Sequence, residues 1–250
     1  MMPKLLEQKQ WDKIYLFLKD FPGIYCGSER KCRLFIEAVI WILRTGSQWR
    51  YLPEDYGYWN SVYKRFSRWD NRGVWDALFT SVQTPELDSG MVDSTVIRAH
   101  ACSAGYKKDK GINQALDRSC GGFSTKVHIL TEGLGYPVDF VLTRGQAHDA
   151  PQAQGLLTSV AFDQIIADKA YDDIKIRELV VKKGAKCIIP SKSNRINKFD
   201  HDQHVYKERH LIECCIGKLK QFRRVFSRFE KRACRYLSFL KIASTILWLR

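Results

Sequence analysis

The feature that most constrains this chain is a change of hydrophobic period at "TPELDSG", residues 84–90. Before it, apolar residues recur at helical spacing. After it, "MVDSTVIRAH" alternates as a strand does, and "STKVHILTE" and "PVDFVLTRG" follow as strands around the turn "GLGY". Next come helix-like "DAPQAQGLLTSV", a buried-type strand in "FDQIIADKAY", a helix "IKIRELVVKKG" ending at Gly184, and a strand in "AKCIIPSK". Three strands, helix, strand, helix, strand, helix is an α/β order with a mixed sheet. The reading divides the chain into a helical domain over 1–84 and an α/β domain over 85–250.

Within the first, "SERKCRLFIEAVIWILRTG" starts at a cap on Ser28 and stops at Gly46. "WNSVYKRFSRWDNRGVWDALFTSV" reads as two short helices broken near Asn71, Arg72 and Gly73. Arg44, Arg50, Lys64, Arg65, Arg68 and Arg72 supply a basic face, with Trp41, Trp49, Trp59, Trp69 and Trp75 between them. That suits a helix-turn-helix-like DNA reader; a helical subdomain with tryptophans in its core has the same composition. The 250 residues are 45% hydrophobic, enough for a real core, and the net charge is +14, which points to a polyanionic partner with nucleic acid the default. Eight cysteines are scattered without a CxxC, which suits reduced, mostly buried thiols in a cytoplasm. His201, His204, Cys214 and Cys215 are poorly spaced for zinc. "MMPKLLEQKQWDK" lacks the apolar core of a signal peptide, and no apolar run reaches membrane-spanning length. "GYKKDKGINQALDRSCGGFSTK" reads as an exposed, mobile loop.

Three acidic residues stand out by position. Asp93 lies mid-strand among apolar neighbours, where a carboxylate costs desolvation unless something compensates it. Asp168 ends the apolar run "QIIAD", and sites in open α/β sheets favour such carboxyl ends. Asp93 could equally serve a turn, and Asp168, Asp172 or Asp173 could cap the following helix; Asp172 is the rival for the second position. Glu213 sits inside the basic segment "YKERHLIECCIGKLKQFRRVFSR". Read as one amphipathic helix, that segment places Tyr206, Arg209, Glu213 and Lys220 on one stripe, with Leu211, Cys215, Leu219, Phe222 and Phe226 opposite. The plain reading of Arg209 and Glu213 is an i, i+4 surface pair worth about 0.3–0.5 kcal/mol. The sharper one joins Glu213 to the two aspartates as oxygen ligands for hard cations.

The spacing Tyr206-x2-Arg209-x3-Glu213-x6-Lys220 resembles the Y-(2)-R-(3)-E-(6)-K pattern of bacterial insertion-sequence transposases with a DDE triad. "DSTVIRAH", "GGFSTKVHI" and "ADKAYDD" resemble that family's motifs around its two aspartates, and "WILRTGSQWRYLPEDYGYWNSVYKRFSRW" resembles the N-terminal region of family-five insertion-sequence transposases. One departure is Ala170, where a glycine is common. The resemblance spans roughly residues 20 to 240. It implies an RNase H-like core with the triad Asp93, Asp168 and Glu213. That triad would hold two Mg²⁺ ions, with Mn²⁺ as an alternative and no organic cofactor. The implied activity is cleavage at the terminal inverted repeats and joining of the 3′-OH ends to target DNA. Its rivals are a metal-dependent endonuclease that does not join and an inactive DNA-binding relic. Candidate contacts to double-stranded DNA are Tyr206, Arg209, Lys220, Arg223, Arg224, Lys126, Arg44, Arg65 and Arg68, with Arg228, Lys231, Arg232 and Arg235 extending the basic track and His128 a weaker candidate. His100 and His148 read as structural. The family also implies a homodimer on DNA, without a membrane, in the bacterial cytoplasm near the nucleoid.

Overall fold

The structure is a computed structural model that describes residues 5–106, 114–119 and 121–250. Residues 107–113 of the lysine-bearing loop named above, and Cys120, lie outside the described residues, and the end of that stretch forms the strand Asp117–Ser119 and the start of the strand Gly122–Glu132 rather than loop. Along the chain run α1 (Gln8–Asp20), α2 (Glu29–Thr45), α3 (Trp59–Asn71), α4 (Val74–Ser81), β1 (Ser89–Ala99), β2 (Asp117–Ser119), β3 (Gly122–Glu132), β4 (Pro137–Arg144) and α5 (Ala150–Ser159). After them come β5 (Gln164–Ala167), α6 (Ile174–Lys182), β6 (Lys186–Ile188), α7 (Gln203–Tyr206), α8 (His210–Lys220), α9 (Arg223–Phe226) and α10 (Ala233–Trp248). Among the described residues no helix is long and apolar enough to cross a membrane.

These elements group into two compact units, Met1–Gln83 with Leu219–Arg250, and Thr84–Lys218. The sequence reading kept 219–250 with the α/β part. The difference comes from α10, which buries Tyr236, Phe239, Leu240, Ile242, Ala243, Ile246 and Leu247 and so needs apolar partners on more than one side. It finds them against α2, α3 and α4.

In the helical unit, Ser28 Oγ accepts from the Lys31 N–H and α2 stops at Gly46 in the left-handed region, φ 70°. Trp69 and Trp75 are core: Phe35 meets Trp69 edge-on at 4.9 Å, Trp75 lies 5.2 Å from Trp69, and its indole N–H donates to the Phe66 carbonyl. Three arginines of the supposed basic track are also inside. Arg224 pairs with Glu230 at 2.6 Å and donates to the Gly46 and Ser47 carbonyls. Arg228 is fully buried, and Arg235 pairs with Asp70.

In the α/β unit, β1 is flanked by β3, antiparallel, and β5, parallel; β6 continues parallel beside β5, and β2 and β4 both pair antiparallel with β3. This is the RNase H-like mixed sheet. Val92, Leu130, Ile165 and Ala167 from the sheet pack with Leu156 and Leu157 of α5 and Ile176 and Val180 of α6. The single long helix read over 206–228 is not continuous. A 3-10 turn, Lys207–Arg209, joins α7 to α8, and the helix breaks after Lys220 before α9 begins. Cys215, Leu219 and Phe222 are buried as the pattern required; Phe226, beyond the break, is 54% exposed.

Candidate active site

The first aspartate is held by the sheet. Asp93 faces Ile129 across the β1–β3 ladder, and its neighbour Val92 pairs with Ala167 on β5. Asp93 and Asp168 therefore each follow the last paired position of two adjacent parallel strands. At that point β5 ends: Asp168 Oδ1 accepts from the Ala170 N–H and caps the short 3-10 turn Lys169–Tyr171. The Ala170 departure is thus accommodated without a positive φ.

Glu213 arrives from α8. The Arg209 guanidinium, one turn before it, forks between the two elements. One nitrogen donates to Asp93 Oδ2 at 3.1 Å and another to Glu213 Oε1. Arg209 and Asp93 are largely shielded, with side chains 23% and 18% exposed, whereas Glu213 stays 54% exposed. The i, i+4 pair exists, but its guanidinium also reaches a strand far away in sequence. Tyr206 lies beside it, with the guanidinium 6.0 Å from its ring centre and the His201 ring edge-on at 5.4 Å.

Electrostatics tie the three carboxylates together. Burial pushes the Asp93 carboxyl above its ordinary value. The Ser94 N–H and the Arg209 charge pull it back, and the negative charges of Asp168 and Glu213 raise it further. For Arg209, burial works against the charge, and Glu213 and Asp93 outweigh it, so the guanidinium is held more firmly protonated than usual.

Asp172, the rival for the second position, is committed elsewhere. It is 2% exposed, pairs with Arg177 at 2.8 Å and Arg195 at 2.7 Å, and accepts from the Lys192 N–H. Every oxygen has a structural partner, whereas Asp168 is half-buried and keeps one carboxylate oxygen outside its turn.

Lys126 points its ammonium at the Ala147 carbonyl and at Asp149, 3.0 Å away. His128 is buried, bonded to the Thr143 hydroxyl at 2.8 Å, and pulled down to about 4 because burial disfavours the imidazolium more than Asp149 favours it. Tyr171, buried at the end of β5, feels Asp149, Asp93 and Asp168, and burial raises its phenol well above the usual range. Tyr171 and Asp149 therefore lie within electrostatic reach of each other, and Tyr171 within reach of Asp93 and Asp168. No spacing in the sequence marks them, because they meet only through the β3–β4 hairpin and the turn after β5.

The remaining candidates lie in the helical unit. Arg44, Arg68 and Arg223 are exposed and Lys220 half-buried at the end of α8. Arg65 donates to the Tyr25 and Cys26 carbonyls and lies 4.2 Å from the Phe35 ring centre. Arg224, as described, is buried and fully occupied.

The donor set suits a hard divalent cation, since Asp93, Asp168 and Glu213 offer only oxygens. A cation already bridges two of them, the chain's own guanidinium. Among the described residues no three acidic, histidine or cysteine side chains stand close enough to hold a metal together as placed. Arg209, which draws Glu213 to itself, occupies the charge position.

An α/β core of this order, with one carboxylate on β1 and one just past the end of β5, suits a nucleic-acid-processing class, and comparison with known proteins agrees. Residues 85–246 match the family described as "Transposase DDE domain", and residues 6–79 match "Putative transposase of IS4/5 family". The chain belongs to the DDE transposases of insertion sequences, enzymes that act on DNA. Among relatives, it is 35% identical over 129 residues to a putative transposase for insertion sequence element IS6501 of Brucella ovis, covering 51% of this chain and 99% of that protein. It is 25% identical over 135 residues to a putative transposase for IS402 of Burkholderia cepacia, covering 49% and 62%. A cryo-EM structure of the piggyBac transposase synaptic complex with hairpin DNA aligns with a TM-score of 0.38 at 13% identity, over 75% of this chain and 48% of that one.

Proposed function

We propose that this chain cleaves DNA at the ends of an insertion sequence and joins the freed 3′-OH ends to target DNA, with Asp93, Asp168 and Glu213 as the acidic triad. The carrying observation is that Asp93 and Asp168 each follow the last pair, Val92 with Ala167, of two neighbouring parallel strands, while Arg209 ties Glu213 to Asp93. Asp93 and Asp168 would hold the divalent ions, with Glu213 completing the set from α8. When bound, Mg²⁺ or Mn²⁺ supplies Lewis-acid activation of the attacking oxygen and stabilises the leaving one. The strand placement of Asp93 fixes its carboxylate by backbone register. The Asp168 turn fixes the second. Arg209, released from the carboxylates, and Tyr206 beside it contact phosphates beside the scissile bond, and Lys220 at the end of α8 contacts DNA backbone. The helical part, 1–84 by sequence, binds the terminal inverted repeats with Arg44 and Arg68, and Arg223 adds backbone contacts. Two copies act as a dimer to pair the ends.

Labelled element ends incubated with the protein, target DNA and Mg²⁺ test this. Joined products are expected from the wild type and none from Asp93→Asn, with DNA binding retained. Cleavage without any joined product would make the protein a nuclease; undiminished products from Asp93→Asn would remove the triad.

A further inference from the structure

A concavity in the helical unit lies apart from the acidic triad and shares only Arg68 with the DNA contacts proposed above. Its volume is about 340 Å³, and Tyr25, Ser61, Arg65, Arg68, Trp69 and Arg72 line it. Ser61, Arg65 and Arg68 of α3 and Arg72 just after it follow one face at helical spacing, with Val62 and Phe66 buried on the other side and Trp69 at the concavity's edge. Among the described residues no carboxylate lines it, so three guanidinium charges meet there without an acidic counterion in the lining. Arg65 and Arg72 spend hydrogen bonds on carbonyls, Arg65 on Tyr25 and Cys26 and Arg72 on Gly23, which fastens the loop carrying Tyr25 against α3. Arg65 Nε is buried without a partner, and the Arg68 guanidinium is exposed with no hydrogen bond or ion pair among the described residues. At the rim the Tyr25 ring is 86% exposed.

Charge, aromatic surface and size converge on one ligand chemistry. Unneutralised arginines select a phosphate. An exposed ring beside them offers a stacking platform for a base. A paired backbone runs over a surface, whereas a recess of this volume admits a group that leaves the stack. We infer that this pocket takes a single unpaired nucleotide of a DNA strand, its phosphate on Arg68 and Arg72 and its base on Tyr25. The inference rests on the DNA-acting reading above and names a ligand state within it.

The test uses the full chain and three labelled DNAs: a fully paired duplex, the same duplex with one unpaired nucleotide, and a single strand. Fluorescence anisotropy is read against salt. Tyr25→Ala is expected to weaken binding about tenfold for the two DNAs with unpaired nucleotides and little for the paired duplex, with Tyr25→Phe restoring it. Arg68→Gln is expected to lower the salt slope by about 1 on all three. Deoxyadenosine monophosphate and inorganic phosphate are added as competitors. Displacement only by millimolar nucleotide supports a strand-held nucleotide; full displacement by micromolar nucleotide makes the pocket a free-nucleotide site and overturns the proposal. Equal losses on paired and unpaired DNA with Tyr25→Ala, or none on either, also overturn it. If the wild type joins DNA ends while Tyr25→Ala discriminates nothing, the pocket falls alone. If the wild type binds none of the DNAs, both readings fall.

Discussion

Two aspartates separated by one short turn show how burial assigns roles. Asp172 is sealed under two arginines, and Asp168 keeps an oxygen outside its turn. Asp172→Asn is expected to cost about 3 kcal/mol in urea unfolding, since it leaves the buried Arg177 and the half-buried Arg195 short of charge. Asp168→Asn retains the cap and is expected to cost less than about 1 kcal/mol while abolishing end cleavage. Arg209 presents the opposite case. Arg209→Ala removes a shielded charge-assisted bond to Asp93 and is expected to lower stability by about 1–3 kcal/mol without divalent ions. A larger rise in melting temperature on adding Mn²⁺ than the wild type shows would confirm that the guanidinium and the ion compete for the same oxygens. His128 supplies a pH dependence. Its folded value of about 4 lies below the ordinary 6.5, so the unfolded chain binds more protons between them. Stability from this group is present above about 6.5 and falls as pH drops towards about 4. His128→Gln, scanned by thermal unfolding across that window, is expected to flatten the slope.

Elements seat the site through backbone fit as much as through side chains. Gly135, in the turn between β3 and β4, adopts φ 83°, and a Cβ there would stand 2.9 Å from the Leu211 carbonyl oxygen. The hairpin turn and the first turn of α8 thus touch backbone to backbone, which sets the approach of Arg209 and Glu213 to β1. Gly135→Ala is expected to destabilise by about 1–3 kcal/mol and to reduce joining more than DNA binding. A variant that joins ends at the wild-type rate would show that α8 is positioned by other contacts. The periodicity of α8 was legible, because a buried seam at Cys215 and Leu219 demands it. Its break after Lys220 was not, because Arg224 looks like a solvated charge until Glu230 and the Gly46 and Ser47 carbonyls are brought around it.

For the whole molecule, the organisation turns on α10, whose burial with α2, α3 and α4 makes the helical unit discontinuous in sequence. A fragment of residues 85–250 carries α10 without those partners and is expected to aggregate. The full chain is expected to stay soluble, as gel filtration at equal concentration would show. The sequence by itself determined the main order of helices and strands, the period change at residues 84–90 and the +14 charge, and it marked Asp93, Asp168 and Glu213 as candidates, because each is written in local spacing or composition. Only the tertiary structure decided which charges are free. Asp172, Arg224 and Arg235 were drawn into buried pairs and Arg209 across to a strand, because a side chain's desolvation and its partner depend on residues far away in the chain.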